Sequence, residues 1–169
     1  MKEFYATHSD DELFDAPNPI QGPWENWTVK PNLTSALGDP RPDGPHNGTD
    51  TTLKINGIKQ HHVELIAGSK CIVVDTKMNA GARGNYIFVY YGQGSDGYGR
   101  FVLYQHLSPD GIANIGDEIQ ANGHIAFTGY SGSCDPAGPN GEHLHLEMYL
   151  YNREGDSQKI APEGGAMTK

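Results

Sequence analysis

The segment Gly141-Glu142-His143-Leu144-His145-Leu146-Glu147 sets two imidazoles and a carboxylate at alternate positions. In an extended strand alternate side chains share a face, so His143, His145 and Glu147 line one side. Leu144, Leu146 and Met148 line the other. Imidazoles beside a carboxylate on one strand face supply half of a metal site or of an acid–base pair. His46-Asn47-Gly48-Thr49-Asp50 offers a further imidazole and carboxylate four residues apart in a Pro/Gly-rich loop. His46 and Asp50, with either His143 or His145, would make the three-ligand set of a catalytic zinc site with one open position. Tyr104-Gln105-His106-Leu107-Ser108 is the third element. Alternation turns Tyr104 and His106 to one face and Leu103 and Leu107 to a core face.

These side chains need elements to position them. Strand-like apolar runs cover 63–67, 70–75, 85–91, 100–107, 124–128 and 143–151, with Gly-rich turns between several of them. Asn56-Gly57, between Leu53-Lys54-Ile55 and Ile58-Lys59, is a two-residue hairpin signal. No helical period persists, and no internal repeat is visible. Short strands at regular spacing predict an all-β, mainly antiparallel domain, a compact sandwich or partly closed barrel with long loops around a groove. Residues 31–50 read as loop. Residues 1–30 read as an acidic, irregular arm that lays Trp24 and Trp27 on the body. The domain proper is expected over 31–155, with 156–169 a C-terminal tail.

Composition narrows the function classes. The 169 residues fit one domain, and 22 Gly and 11 Pro favour loops and short strands over a helical bundle. A formal charge of −9 argues against nucleic acid or an anionic membrane surface as the main partner. No segment is long and apolar enough to span a membrane, and the first residues lack the apolar run of a signal peptide. Cys71 and Cys134 lack the close-spaced pairing of a Cys-based zinc site. Cys71, beside Ile72, Val73 and Val74, reads as a small core residue. Among the remaining histidines, His61, His62 and His124 read as surface residues.

In order along the chain, His46-x-Gly48-x-Asp50, Tyr104-x-His106-Leu107-Ser108 and Gly141-x-His143-Leu144-His145-Leu146-Glu147 resemble the three signature motifs of lysostaphin-type (LytM-type) zinc endopeptidases. Intervening pieces fit as well: Ala67-Gly68, the Gly84-Asn85-Tyr86-Ile87-Phe88-Val89 strand, Ile115-Gly116-Asp117-Glu118-Ile119, Gly123, and Thr128-Gly129-Tyr130-Ser131-Gly132. The resemblance covers roughly 35–152. It implies the duplicated hybrid motif β-fold and cleavage of peptide bonds in bacterial peptidoglycan. It also implies that Zn²⁺ is held by His46, Asp50 and His145, and that His106 and His143 are catalytic histidines that bind no metal. The chain departs from the family pattern in longer stretches after Asp50 and before Gly141, and in Thr49, where an apolar residue is common. Longer loops around a groove bear on which substrate enters it.

The implied chemistry is hydrolysis with a histidine as proton handler, because the chain has no H-E-x-x-H glutamate. His143 is expected to assist deprotonation of the attacking water. His106 is expected to stabilise the tetrahedral intermediate or protonate the leaving amine. Glu147 is expected to orient a histidine through a hydrogen bond, and Tyr104 to line the pocket, donate to the oxyanion or pack as an ordinary core residue. The expected partner is wall peptide, met outside a cytoplasm or on a virion, within a larger virion or wall assembly. Two other readings compete. A non-catalytic wall-binding domain on the same fold would lack some of these five residues. A cupin-like oxygenase would need a further downstream His, and none follows His145.

Overall fold

The computed structural model describes residues 1–8, 14–15 and 32–160. Trp24 and Trp27 lie outside them, so the expectation for those two side chains does too. In chain order the elements are helix α1 (Lys2–Thr7), then β1 (Asn32–Ser35), β2 (Thr49–Thr52), β3 (Lys54–Ile55), β4 (Ile58–Lys59), β5 (Glu64–Ile66) and β6 (Cys71–Lys77). There follow β7 (Asn85–Gln93), β8 (Gly99–Leu107), β9 (Glu118–Ile119), β10 (His124–Phe127), β11 (Leu144–Tyr151) and β12 (Ser157–Ile160). Eight strands form one sheet in the order β1-β2-β11-β8-β7-β6-β9, with β12 also paired to β11. The ladders of this sheet are antiparallel.

The all-β expectation holds, but the sheet does not close into a barrel. A small sheet of β5 and β10 packs on one face instead. Leu65, Ile125 and Ala126 from that small sheet meet Val73, Ile87, Val89, Val102, Leu144, Leu146 and Met148 in the main core. Burying these apolar side chains, at roughly 1.5–3 kcal/mol each, is what fixes which face of β11 points inward. The opposite face carries a second, aromatic cluster of Phe4, Tyr5, Tyr90 and Phe101. The Asn56-Gly57 hairpin forms as expected, with both residues at positive φ (51° and 78°).

Several elements differ from the sequence reading. The first residues are not irregular: α1 buries Phe4 and Tyr5, and the Tyr5 hydroxyl donates to the Tyr151 carbonyl at 2.8 Å. The stretch 31–50, read as loop, holds β1 and the first half of β2, whose Thr-rich sequence carries little apolar signal. Beyond residue 155 the chain adds β12 along β11, with Met148 opposite Ile160.

Candidate metal and acid–base site

Three adjacent strands put the site together. On β11, His145 lies directly across from Asp50 of β2 on one side and from Gln105 of β8 on the other. Cross-strand partners share a face, so their side chains form a row. His46 joins from the loop before β2. The approach is close enough that Gly48 has no room for a side chain. A Cβ there would collide with the Leu146 carbonyl and the His145 ring.

The row converges on a small cluster of donor atoms. His145 Nδ1 is 2.8 Å from Asp50 Oδ1, and His46 Nε2 is 3.1 Å from His145 Nδ1 and 3.3 Å from Asp50 Oδ1. All three residues are buried. Their outer hydrogen bonds fix where the protons sit. His46 Nδ1 lies 3.0 Å from the Ala36 carbonyl, which only accepts, so Nδ1–H donates and Nε2 keeps its lone pair. His145 Nε2 lies 3.2 Å from Glu147 Oε1, and with Nε2–H donated there Nδ1 is the atom a metal would take in place of the proton shared with Asp50. With that proton displaced, three lone pairs would meet in one buried spot, which fits a cation of the kind that imidazole and carboxylate bind.

The electrostatics say the same. Burial opposes charge on Asp50, but hydrogen bonds from His145 and Arg41 outweigh it and hold the carboxyl well below the usual range. Glu147 is also desolvated, yet His145, Lys159 and Tyr149 keep it ionised. Burial works against a charged His145 ring, and the Asp50 and Glu147 carboxylates overcome it, so the pKa of His145 rises. A proton on His145 Nδ1 and a divalent cation would occupy the same place. Burial lowers the pKa of His46.

His106 and His143 stand beside this cluster, with ring centroids 4.6 Å apart. His143 Nε2 is 3.7 Å from Asp50 Oδ1, and its Nδ1–H donates to the Gly141 carbonyl at 2.8 Å. His106 Nδ1–H donates to the Ser131 carbonyl at 2.9 Å. Both rings therefore keep Nε2 for other partners. Burial is the main reason that the pKa of His106 falls to about 4, outweighing the hydrogen bond to the Ser131 carbonyl, which raises it. The clamp on His106 explains several glycines and polar residues of the sequence. Asn85 N–H donates to Ser131 Oγ, Ser131 Oγ–H donates to the Leu107 carbonyl, and Asn85 Nδ2 donates to the same carbonyl. Gly84 lies at φ 66°, and a Cβ on it would strike Ser131.

Tyr104 corrects the sequence reading. It does not line the site. It is fully buried in the main core, with its hydroxyl 2.6 Å from that of Tyr91. Simple alternation fails because His106 adopts φ 61°, which turns its ring to the side of Gln105. Leu103 is buried as expected, but on the sheet face it shares with its cross-strand partner Glu147. The other histidines lie elsewhere. His61 Nδ1 is 2.9 Å from Glu142 Oε2, His62 stacks on Phe127, and His124 sits 2.9 Å from Glu64.

Several contributors were not anticipated. Arg41 pairs with the second oxygen of Asp50, and Gln105 Nε2 donates to Glu147 Oε1 at 2.7 Å. Glu142 is buried and accepts from Thr128 Oγ1, His62 N–H and His61, which ties down the turn before His143. Its position inside the Gly141-x-His143 motif was the available signal. An open groove of about 890 Å³ passes over the cluster, lined by Arg41, Lys59, Arg83, Ser133 and Asn140 beside the histidines. Cys71 is buried in the core, which pushes its thiol up to about 12, and both cysteines are free thiols.

Comparison with solved structures places this architecture. The catalytic domain of the prophage-encoded M23 protein EnpA from Enterococcus faecalis, solved as a point mutant, superposes with a TM-score of 0.56 at 21% identity. The match covers 80% of this chain and 92% of that one. This is a lysostaphin-type fold. The catalytic domain of the antimicrobial peptidase lysostaphin from Staphylococcus simulans matches with a TM-score of 0.53 at 20% identity, over 82% of this chain and 94% of that one. A zinc-containing peptidase from Vibrio cholerae gives 0.56 at 20% identity, over 87% of this chain but only 39% of its own length. No family model matches the sequence, and no curated protein does. Among the described residues, no helix of the lysostaphin-type domain is long and apolar enough to cross a membrane.

Proposed function

We propose that this lysostaphin-type domain is a zinc-dependent endopeptidase that hydrolyses peptide bonds of bacterial peptidoglycan, in stem-peptide cross-links or bridges. The observation that carries the reading is the convergence of His46 Nε2, Asp50 Oδ1 and His145 Nδ1 within 3.3 Å of one another, at the floor of an open groove with two further histidines beside them. His46, Asp50 and His145 would hold the zinc. Bound there, zinc would activate water and polarise the scissile carbonyl. The setting is the bacterial wall, reached from outside the cell, in the periplasm or from a virion.

The chain's own residues supply binding and proton transfer. An extended peptide would lie along the groove, past Arg41 and Arg83. His143, with Nδ1–H fixed on Gly141, presents a basic Nε2 toward the cluster and takes the proton of the attacking water. His106, fixed on Ser131, offers its Nε2 to the neighbouring position. Once protonated, that nitrogen can hold the developing oxyanion or pass its proton to the leaving amine. Glu147 accepts from His145 Nε2 and keeps the ring aimed with Nδ1 toward the position the metal would take.

The test separates holding metal from moving protons. His145→Ala is expected to lose bound zinc and activity together. His143→Ala is expected to keep zinc and lose about 10²–10⁴-fold in turnover. Metal content and release of new amino groups from purified cell wall are the two readouts. A His143→Ala protein that digests wall at the wild-type rate would remove His143 from the mechanism.

A further inference from the structure

Cys134 plays no part in the reading above, yet it stands beside both catalytic histidines. We propose that Cys134, His106 and His143 form a second, sulfur-containing site for a transition metal such as zinc, next to the first. The ligating atoms of the three lie within 4.8 Å of one another. Backbone carbonyls occupy Nδ1 of both rings, so both imidazoles offer Nε2. The thiol's contact is a weak one, 3.8 Å to the Ser131 carbonyl. One thiolate and two imidazoles are a donor set that zinc takes readily, with a fourth position left for water.

Zinc bonds of about 2.3 Å to sulfur and about 2.0–2.1 Å to nitrogen place tetrahedral donors roughly 3.4–3.6 Å apart. Closing the site therefore asks for about 1 Å of movement. That movement falls on the segment from Ser131 to Gly141, the longer stretch before the final motif, where Cys134 is only partly buried. Binding releases the thiol proton to solvent, and the thiolate offsets one of the two positive charges. His143 Nε2 is 3.7 Å from Asp50 Oδ1, so the two cations would be close and repel. The second site fills after the first. Resting on the proposed peptidase mechanism, its filling ties up both proton-handling nitrogens, so excess zinc inhibits.

The test is a Co²⁺ titration of the whole metal-free chain, read by absorption rather than by activity. The first site has no sulfur, so thiolate-to-cobalt charge transfer in the near-UV reports the second alone. The band is expected to grow with the second equivalent. It should be missing from Cys134→Ser, and from wild-type protein alkylated at Cys134 while Cys71 stays buried. Both of these should still bind the first equivalent, and His145→Ala should keep the band while losing that equivalent. Absence of the band at two equivalents in the wild type overturns the proposal. Its appearance with the first equivalent also overturns it, because Cys134 would then serve a single shared site. A protein that shows the band but never cleaves wall peptide would contradict the peptidase reading and leave the second site standing.

Discussion

Glu147 is the residue whose part in the site can be isolated most cleanly. It touches His145 through one oxygen and is held by Gln105, Lys159 and Tyr149. Glu147→Gln keeps the shape but loses the carboxylate that fixes the His145 tautomer. Zinc affinity is expected to fall about 10–100-fold, measured by competition with a chromogenic chelator. Tyr104 makes the opposite case. Because its hydroxyl meets Tyr91 in the core, Tyr104→Phe should cost about 0.5–1.5 kcal/mol of stability and leave turnover unchanged. A denaturant melt and a wall-digestion assay, run together, check both halves. The sequence showed which residues to gather, because His143, His145 and Glu147 share a strand face and His46 and Asp50 flank a glycine. It could not show the turn of His106, since a positive φ at a histidine leaves no mark in the sequence pattern. Gln105 also stayed hidden, because Glu147 is distant in the chain and becomes its neighbour through the pairing of β8 with β11, and Arg41 sits in a loop where no strand pattern marks its approach to Asp50.

At the scale of elements, the site depends on how closely the loop before β2 approaches β11. Gly48→Ala adds a single methyl group where the Leu146 carbonyl and the His145 ring already sit. The variant is expected to fold with reduced stability and to bind zinc weakly, which melting with and without added zinc would show as a smaller zinc-induced rise than in wild type. The strands of the core were legible because β5, β6, β7, β8, β10 and β11 are apolar runs whose faces must be buried. The elements missed were those with little apolar signal. β2 is mostly threonine, β9 is two residues long, and β12 gains its order from pairing along β11. On β11 itself Leu146 is fully buried between the sheet and its core. Leu146→Ala should cost about 2–5 kcal/mol and bring down site and fold together.

At the scale of the whole molecule, one sheet serves two ends. The metal cluster and the groove occupy part of its open face, and α1 covers the aromatic cluster on another part. Phe4 packs on Tyr90 and Phe101 with ring centroids 5.0 and 5.6 Å away. Phe4→Ala is expected to lower the melting temperature, in keeping with a loss of about 3–5 kcal/mol, while one equivalent of zinc still binds with wild-type affinity. The lysostaphin-type fold leaves the chemistry to the groove, where zinc held by His46, Asp50 and His145 is the central proposal. The most direct measurement is hydrolysis of a muropeptide of defined chemotype by metal-free protein, with products identified by mass as zinc is added back. No new amino groups are expected without metal, and full recovery at one equivalent of zinc, with no recovery in His145→Ala. Full hydrolysis by the metal-free protein would contradict the proposal.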